Sequence, residues 1–351
     1  MLKGFGKVVD GLKKSVQDIV TPTAQFKEEL SWDLEGEGVE LIKAQTQSGS
    51  LEIQGTDQTM VQVKVEKRVR APTQEEAEAF ASQVEVKVEQ EGNEIDLDAD
   101  YPEPPTGVNV SVSFKVTAPR AVEVNYKTGS GSMKISDVDG EVLAEAGSGG
   151  IKLGKCKNAV DLQTGSGEIS VSECEGQVNA DTGSGGIKLQ KVVGNAFLHT
   201  ASGKIRVTDI EGNLEARSES GTITVRGSTG AVDLQTSNGR ISAELQNLVD
   251  QASMKTSSGS ISVKWLEGNA PLKAESQSGS ISVSLPVEFS GDLDAQSVSG
   301  SIRCEFAIIA ETKVKGHLKG KIGQGEGASL DLQTASGSIT VTAQGKLETK
   351  V

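Results

Sequence analysis

From Gly131 to Gly239 the chain repeats a Ser-Gly-x-Ile-x-Val pattern at a strict 18-residue spacing, anchored on Gly131, Gly149, Gly167, Gly185, Gly203, Gly221 and Gly239. Looser copies follow at Gly259, Gly279, Gly300 and Gly337, and an isolated one precedes them at Gly49. A fixed period this short restricts the fold to a solenoid, in which each unit buries its apolar side only against its neighbours.

Counting each repeat from its glycine as position zero, positions two and four are apolar, as in Ile187 and Leu189 or Ile205 and Val207. Position three is polar, as in Lys152, Ser170, Lys188, Arg206 and Thr224. This alternation is that of a half-buried strand. A second alternating run comes half a repeat later, as in Val160-Asp161-Leu162-Gln163-Thr164. Two short strands per unit, dense glycine and β-branched residues exclude a helical repeat. The unit is also too short for a propeller blade. The expected fold is all-β: a parallel β-helix, or single-stranded β-solenoid, with about 18 residues per coil. Glycine at position zero is expected to occupy a corner with positive φ. Cys156 and Cys174, both at position seven, are expected to stack as small apolar core residues, with a disulfide or metal pair as the lesser reading.

Four segments follow. Residues 1–22 read as an amphipathic helix, with Phe5, Val9, Leu12 and Val16 at helical spacing and Lys13 and Lys14 among its basic residues, that either caps the open end of the solenoid or docks on a membrane. Residues 30–125 read as a β-rich N-terminal region holding one short helix near Thr73 to Ala81. The parallel β-helix itself is placed at 126–345, and 346–351 as a closing strand or tail. Within the β-helix, Cys304 to Gly327 is degenerate, and Gly320-Lys321-Ile322 reads as the worn copy of one coil.

Composition narrows the function. A net charge of −14 argues against nonspecific nucleic-acid binding, and 3% aromatics leave little for stacking bases or sugars. Only His199 and His317 are present, neither at metal-ligand spacing, so a histidine-based triad or metal site is not expected. Asp161 and Asp181 fall on outward sites and read as solvated charge. The Gly-Ser-Gly-Gly segments at 147–150 and 183–186 recur with the coil and lack the Lys-Ser/Thr of a phosphate loop, so they read as corners. No catalytic residue, cofactor or small-molecule substrate is expected. Three cysteines, an odd number, favour a reducing compartment, and a cytoplasmic protein is expected.

Three further features carry a family resemblance: Ser-Gly-Ser-Leu-Glu-Ile at 48–53 leading into Val61 to Val65, Val-Thr-Ala-Pro-Arg at 116–120, and Gly323-Gln-Gly325 followed by Leu330-Asp-Leu-Gln-Thr-Ala-Ser-Gly-Ser-Ile339. Over roughly residues 30–345 the chain resembles the bacterial putative-adhesin, or toastrack (head-GIN-like), family. The resemblance implies a β-solenoid of unassigned activity, commonly associated with the cell envelope. It supplies no catalytic residues.

Outward sites of the first strand carry Lys134, Lys152, Lys188, Lys204, Arg206 and Arg240, and those of the second carry acids including Asp161, Asp181 and Asp233. These form the candidate interaction surface. The leading reading is a non-enzymatic scaffold that contacts protein partners or copies of itself. A peripheral membrane module anchored by residues 1–20 comes second, and a polysaccharide-active enzyme is a remote third.

Overall fold

The computed structural model describes residues 24–246, 250–267, 270–324 and 327–344. The expected N-terminal amphipathic helix and the 346–351 strand lie outside the described residues. Two walls face each other across one continuous core, one a sheet of 15 strands and the other of 16. Each regular coil contributes one strand to each wall. In wall one, Ile187–Val193 lies between Ile169–Glu175 and Ile205–Glu211. In wall two, Ala196–Thr200 lies between Val178–Thr182 and Leu214–Ser218. All are parallel and in register, so identical repeat positions form ladders. Ile151, Ile169, Ile187, Ile205 and Ile223 are at most 1% exposed, forming one such apolar ladder.

The corner glycines differ from the sequence expectation. None of the anchors from Gly131 to Gly239 has positive φ; the left-handed conformation falls instead at position nine (Gly176, Gly194, Gly212) and, without glycine, at position six (Asp137, Lys155, Glu173, Lys191, Asp209). Position zero needs glycine because the coils touch there. A Cβ on Gly185 would stand 1.6 Å from the Gly167 carbonyl oxygen, and one on Gly203 1.6 Å from that of Gly185. The same corner carries a buried hydroxyl ladder. Thr182 Oγ1 donates to the Gly167 carbonyl (3.1 Å) and accepts from the Gly185 N–H (3.1 Å). Thr164 and Thr200 repeat the motif. The Ser-Gly step is therefore a hydrogen-bonded close approach between coils.

The parallel ladder runs through residue 125. Leu41–Ser48 pairs with Glu123–Ser130, and Leu51–Thr56 with Met133–Val138, so residues 41–56 already form a coil. Between these coils the chain departs to build one end of the solenoid. Met60–Ala71 pairs antiparallel with Ala24–Glu35 and with Asn109–Pro119, while Gln74–Ala81 forms the helix, with a Thr73–Glu76 capping box. At the other end the chain order is broken. The coil made by Ala328–Ser336 and Ile339–Ala343 inserts between Leu272–Leu285 and the coil of Gly291–Ser299 and Ile302–Cys304. Gly320-Lys321-Ile322 is not a coil copy. It belongs to His317–Ile322, half of an antiparallel hairpin with Ile308–Val314 that pairs with Gly291–Ser299.

Cys156 and Cys174 occupy the same ladder position, each 1% exposed, as expected of core residues. They are also bonded to each other as a disulfide, so the reading as two unlinked apolar residues is corrected. Adjacent coils place their Cα atoms 4.6 Å apart, within disulfide reach. Cys304 is free.

Candidate interaction surfaces

Period-two alternation turns every second side chain outward, so each wall displays ladders of like repeat positions spaced about 4.8 Å apart. On wall one, position three reads Lys134, Lys152, Ser170, Lys188, Arg206, Thr224. Lys204 and Arg240 stand at position one of their coils, and Arg226 at position five. At positions one, three and five of the regular coils the carboxylates are Glu168, held by Lys188 (2.8 Å), and Glu244, held by Lys264 (3.1 Å); Asp209 and Glu211 stand exposed further along the Arg206 strand. Lys134 reaches Glu52 at 2.7 Å, and this hydrogen bond is the main cause holding the Glu52 carboxyl below the usual range.

Wall two neutralises its charges in place. Lys127 pairs with Glu145 (3.3 Å), Arg217 with Glu215 (2.8 Å), and Lys255 and Lys273 both with Glu275 (3.4 and 2.7 Å). Asp161 and Asp233 accept hydrogen bonds from Gln163 and Gln235 two residues on. Asp181 Oδ2 accepts from His199 Nδ1 at 2.7 Å. Asp161 and Asp181 do not come together: their ladder partners are Asn179 and Gln163. The sequence-predicted surface residues thus separate onto the expected walls. What periodicity did not show is which of them are already paired.

The His199–Asp181 pair is absent from the sequence reading, which asked of His199 only whether it stood at metal-ligand spacing. Both side chains are about half exposed, and the pair stands on an open wall. His317 meets Asp294 at 3.0 Å in the same manner. A catalytic carboxylate–imidazole pair is instead buried and aimed at a nucleophile. Among the described residues no cluster of three or more His, Cys, Asp or Glu side chains forms a metal site, and no helix is long and apolar enough to cross a membrane. A broad groove of about 770 Å³ lies on wall two, lined in part by Gln45, Lys127, Glu145, Gln163 and Asp181.

Exposed apolar side chains stand mid-solenoid at Val193 and Phe197 and otherwise towards the ends. At one end the edge strand Ala24–Glu35 leaves Phe26, Leu30, Trp32 and Leu34 half-buried against the core. At the other, Val298, Ile309 and Val314 are between 63% and 85% exposed beside half-buried Ile302, Phe306 and Ile308.

The Toastrack DUF4097 family model matches residues 15–206 and again 176–342. Three solved structures are similar. One described as a putative cell adhesion protein from Clostridium sporogenes is 12% identical, covers 91% of this chain and 100% of its own, and has a TM-score of 0.26. Two come from Parabacteroides distasonis. One described as a putative lipid binding protein is 18% identical over 69% of this chain and 97% of its own, with a TM-score of 0.44. One described as a putative adhesin is 14% identical over 73% and 97%, with a TM-score of 0.39. Comparison with curated proteins gave no match.

Proposed function

We propose that this chain, which belongs to the Toastrack DUF4097 family, is a non-enzymatic β-solenoid scaffold that associates with protein partners or with copies of itself. The observation that carries the proposal is the pairing of long walls, without insertions from Gly131 to Gly239, with incompletely covered ends. The Ile302–Cys304 strand ends wall one and the Ile308–Val314 strand ends wall two, each with a neighbour on one side only, and Val298, Ile309 and Val314 stand exposed on this part of the chain. Such edges pair readily with another chain. The wall geometry favours surface recognition over catalysis, because its outward side chains lie open to solvent.

The full chain should therefore associate with increasing concentration in analytical ultracentrifugation, and Ile309→Lys together with Val298→Lys should shift it towards monomer. A wild-type chain that stays monomeric at all concentrations and captures no protein partner would remove the proposal. An envelope role is proposed from the family resemblance. The cytoplasmic location drawn from the odd cysteine count stands against the Cys156–Cys174 bond, which favours an oxidising compartment. The mass of the chain from its native host under non-reducing conditions decides between them.

A further inference from the structure

Between Glu123 and Leu285, ten of the Lys and Arg residues have a carboxylate within ion-pair distance. The remaining five, Lys152, Lys204, Arg206, Arg226 and Arg240, have none among the described residues, and all five are exposed on wall one. Arg240 donates only to the Ser260 hydroxyl (3.1 Å), and Arg226 stands opposite Glu244, whose carboxylate is taken by Lys264. Within this span random scatter of charge for solubility would leave unpaired cations on both walls, as Lys319 and Lys321 stand on wall two further along the chain. Here they converge. Lys204 and Arg206 share one strand face, about 7 Å apart. Arg206 is the ladder neighbour of Lys188, and Arg226 and Arg240 follow on the next two coils.

We propose that this face of wall one binds an acidic polysaccharide laid along the solenoid axis. The flat ladder suits an extended polymer whose charges recur along its length, and cations on successive coils can meet them at about 4.8 Å steps. Hydroxyls of Ser170, Thr224, Ser242 and Ser262 occupy the same position-three ladder, offering hydrogen bonds to sugar hydroxyls between the charges. The other polyanions fit less well. A nucleic acid carries a denser charge than this patch matches, meets a chain of net charge −14, and finds no aromatic side chain on this face for its bases. A bilayer would need several apolar side chains to insert; the position-three ladder offers none from Lys152 to Ser262, and Val193 at the far end of its strand stands exposed alone. Recognition is thus by charge and hydroxyl rather than by ring stacking. It goes beyond the scaffold reading and holds whether or not the chains associate.

The test is titration of the full chain with polygalacturonate in low salt, with neutral dextran, inorganic polyphosphate and phosphatidylglycerol vesicles as separate arms. Polygalacturonate should bind, dextran should not, and added salt should weaken binding as charge screening requires. Lys204→Glu, Arg206→Glu and Arg240→Glu together should weaken it more than tenfold; Lys255→Glu with Lys273→Glu, on wall two, should change it less than twofold. Circular dichroism checks that each variant keeps its strand signal, and the Gln versions replace the Glu versions if it does not. The proposal is overturned if polygalacturonate does not bind, if only polyphosphate or vesicles bind, or if both walls' variants lose binding alike.

Discussion

Walls one and two are made from the same 18-residue repeat, share one core and run parallel in the same register, yet they treat charge in opposite ways. Between Glu123 and Leu285, wall two sets its Lys and Arg residues and His199 beside Glu and Asp on neighbouring coils or two residues along a strand, so its cations are paired locally. Wall one keeps five cations without a carboxylate partner. A solenoid fixes its inward positions by packing and leaves its outward positions free to vary, coil by coil. The difference between the walls therefore lies outside the fold, where binding is decided.

The largest test asks whether the walls are alike inside. Ile205→Asp in wall one and Leu198→Asp in wall two each bury an unpaired charge between stacked coils. Each should cost several kcal/mol, at the upper end of single-substitution effects. Denaturant midpoints that fall for one wall only would break the symmetry on which the comparison stands. The shared corner is next. Gly185→Ala puts a methyl group against the Gly167 carbonyl oxygen, and about 1–3 kcal/mol should be lost as the coils move apart. An unchanged midpoint would refute the close-approach explanation.

How much of this was legible in the sequence follows from where each residue points. The ladders and the facing of Ile187 and Ile205 came directly from periodicity, and the helix near Thr73 to Ala81 from its run of Gln and Glu. The corner glycine was found but misexplained, because sequence shows a requirement for glycine without showing that a neighbouring coil's carbonyl imposes it. The wedged coil 328–343 was not legible. Its own strands look like any other coil, and only pairing across the intervening hairpin reveals its place. Likewise Lys204 and Lys255 are both outward lysines in the sequence. Partners contributed by neighbouring coils, here Glu275, separate the free cation from the paired one.

Smaller effects sharpen that last distinction. Glu275→Gln on wall two removes the partner of two lysines and should cost about 0.2–1 kcal/mol, whereas Lys204→Gln on wall one should stay within about 0.5 kcal/mol of wild type. Equal losses at both sites would blur the comparison. The pH dependence should follow suit. The hydrogen bond from Lys273 is the largest influence holding the Glu275 carboxyl below its ordinary 4.5. Its contribution is present above that value and is lost as the pH falls through the depressed folded value. The stability gap between wild type and Glu275→Gln should therefore close on acidification, and a gap that widens would contradict the pairing.

The most direct measurement is residue-resolved acetylation of the folded chain, followed over time by mass spectrometry. Lys273 holds its proton more tightly than an ordinary lysine, first through the hydrogen bond to Glu275, so less of it is the reactive free amine. Lys152 and Lys204, equally outward but without a carboxylate, should react faster than Lys273, Lys255 and Lys127. Reaction of Lys152 and Lys204 at or below the rate of those wall-two lysines would contradict the claim that wall one carries the free cations.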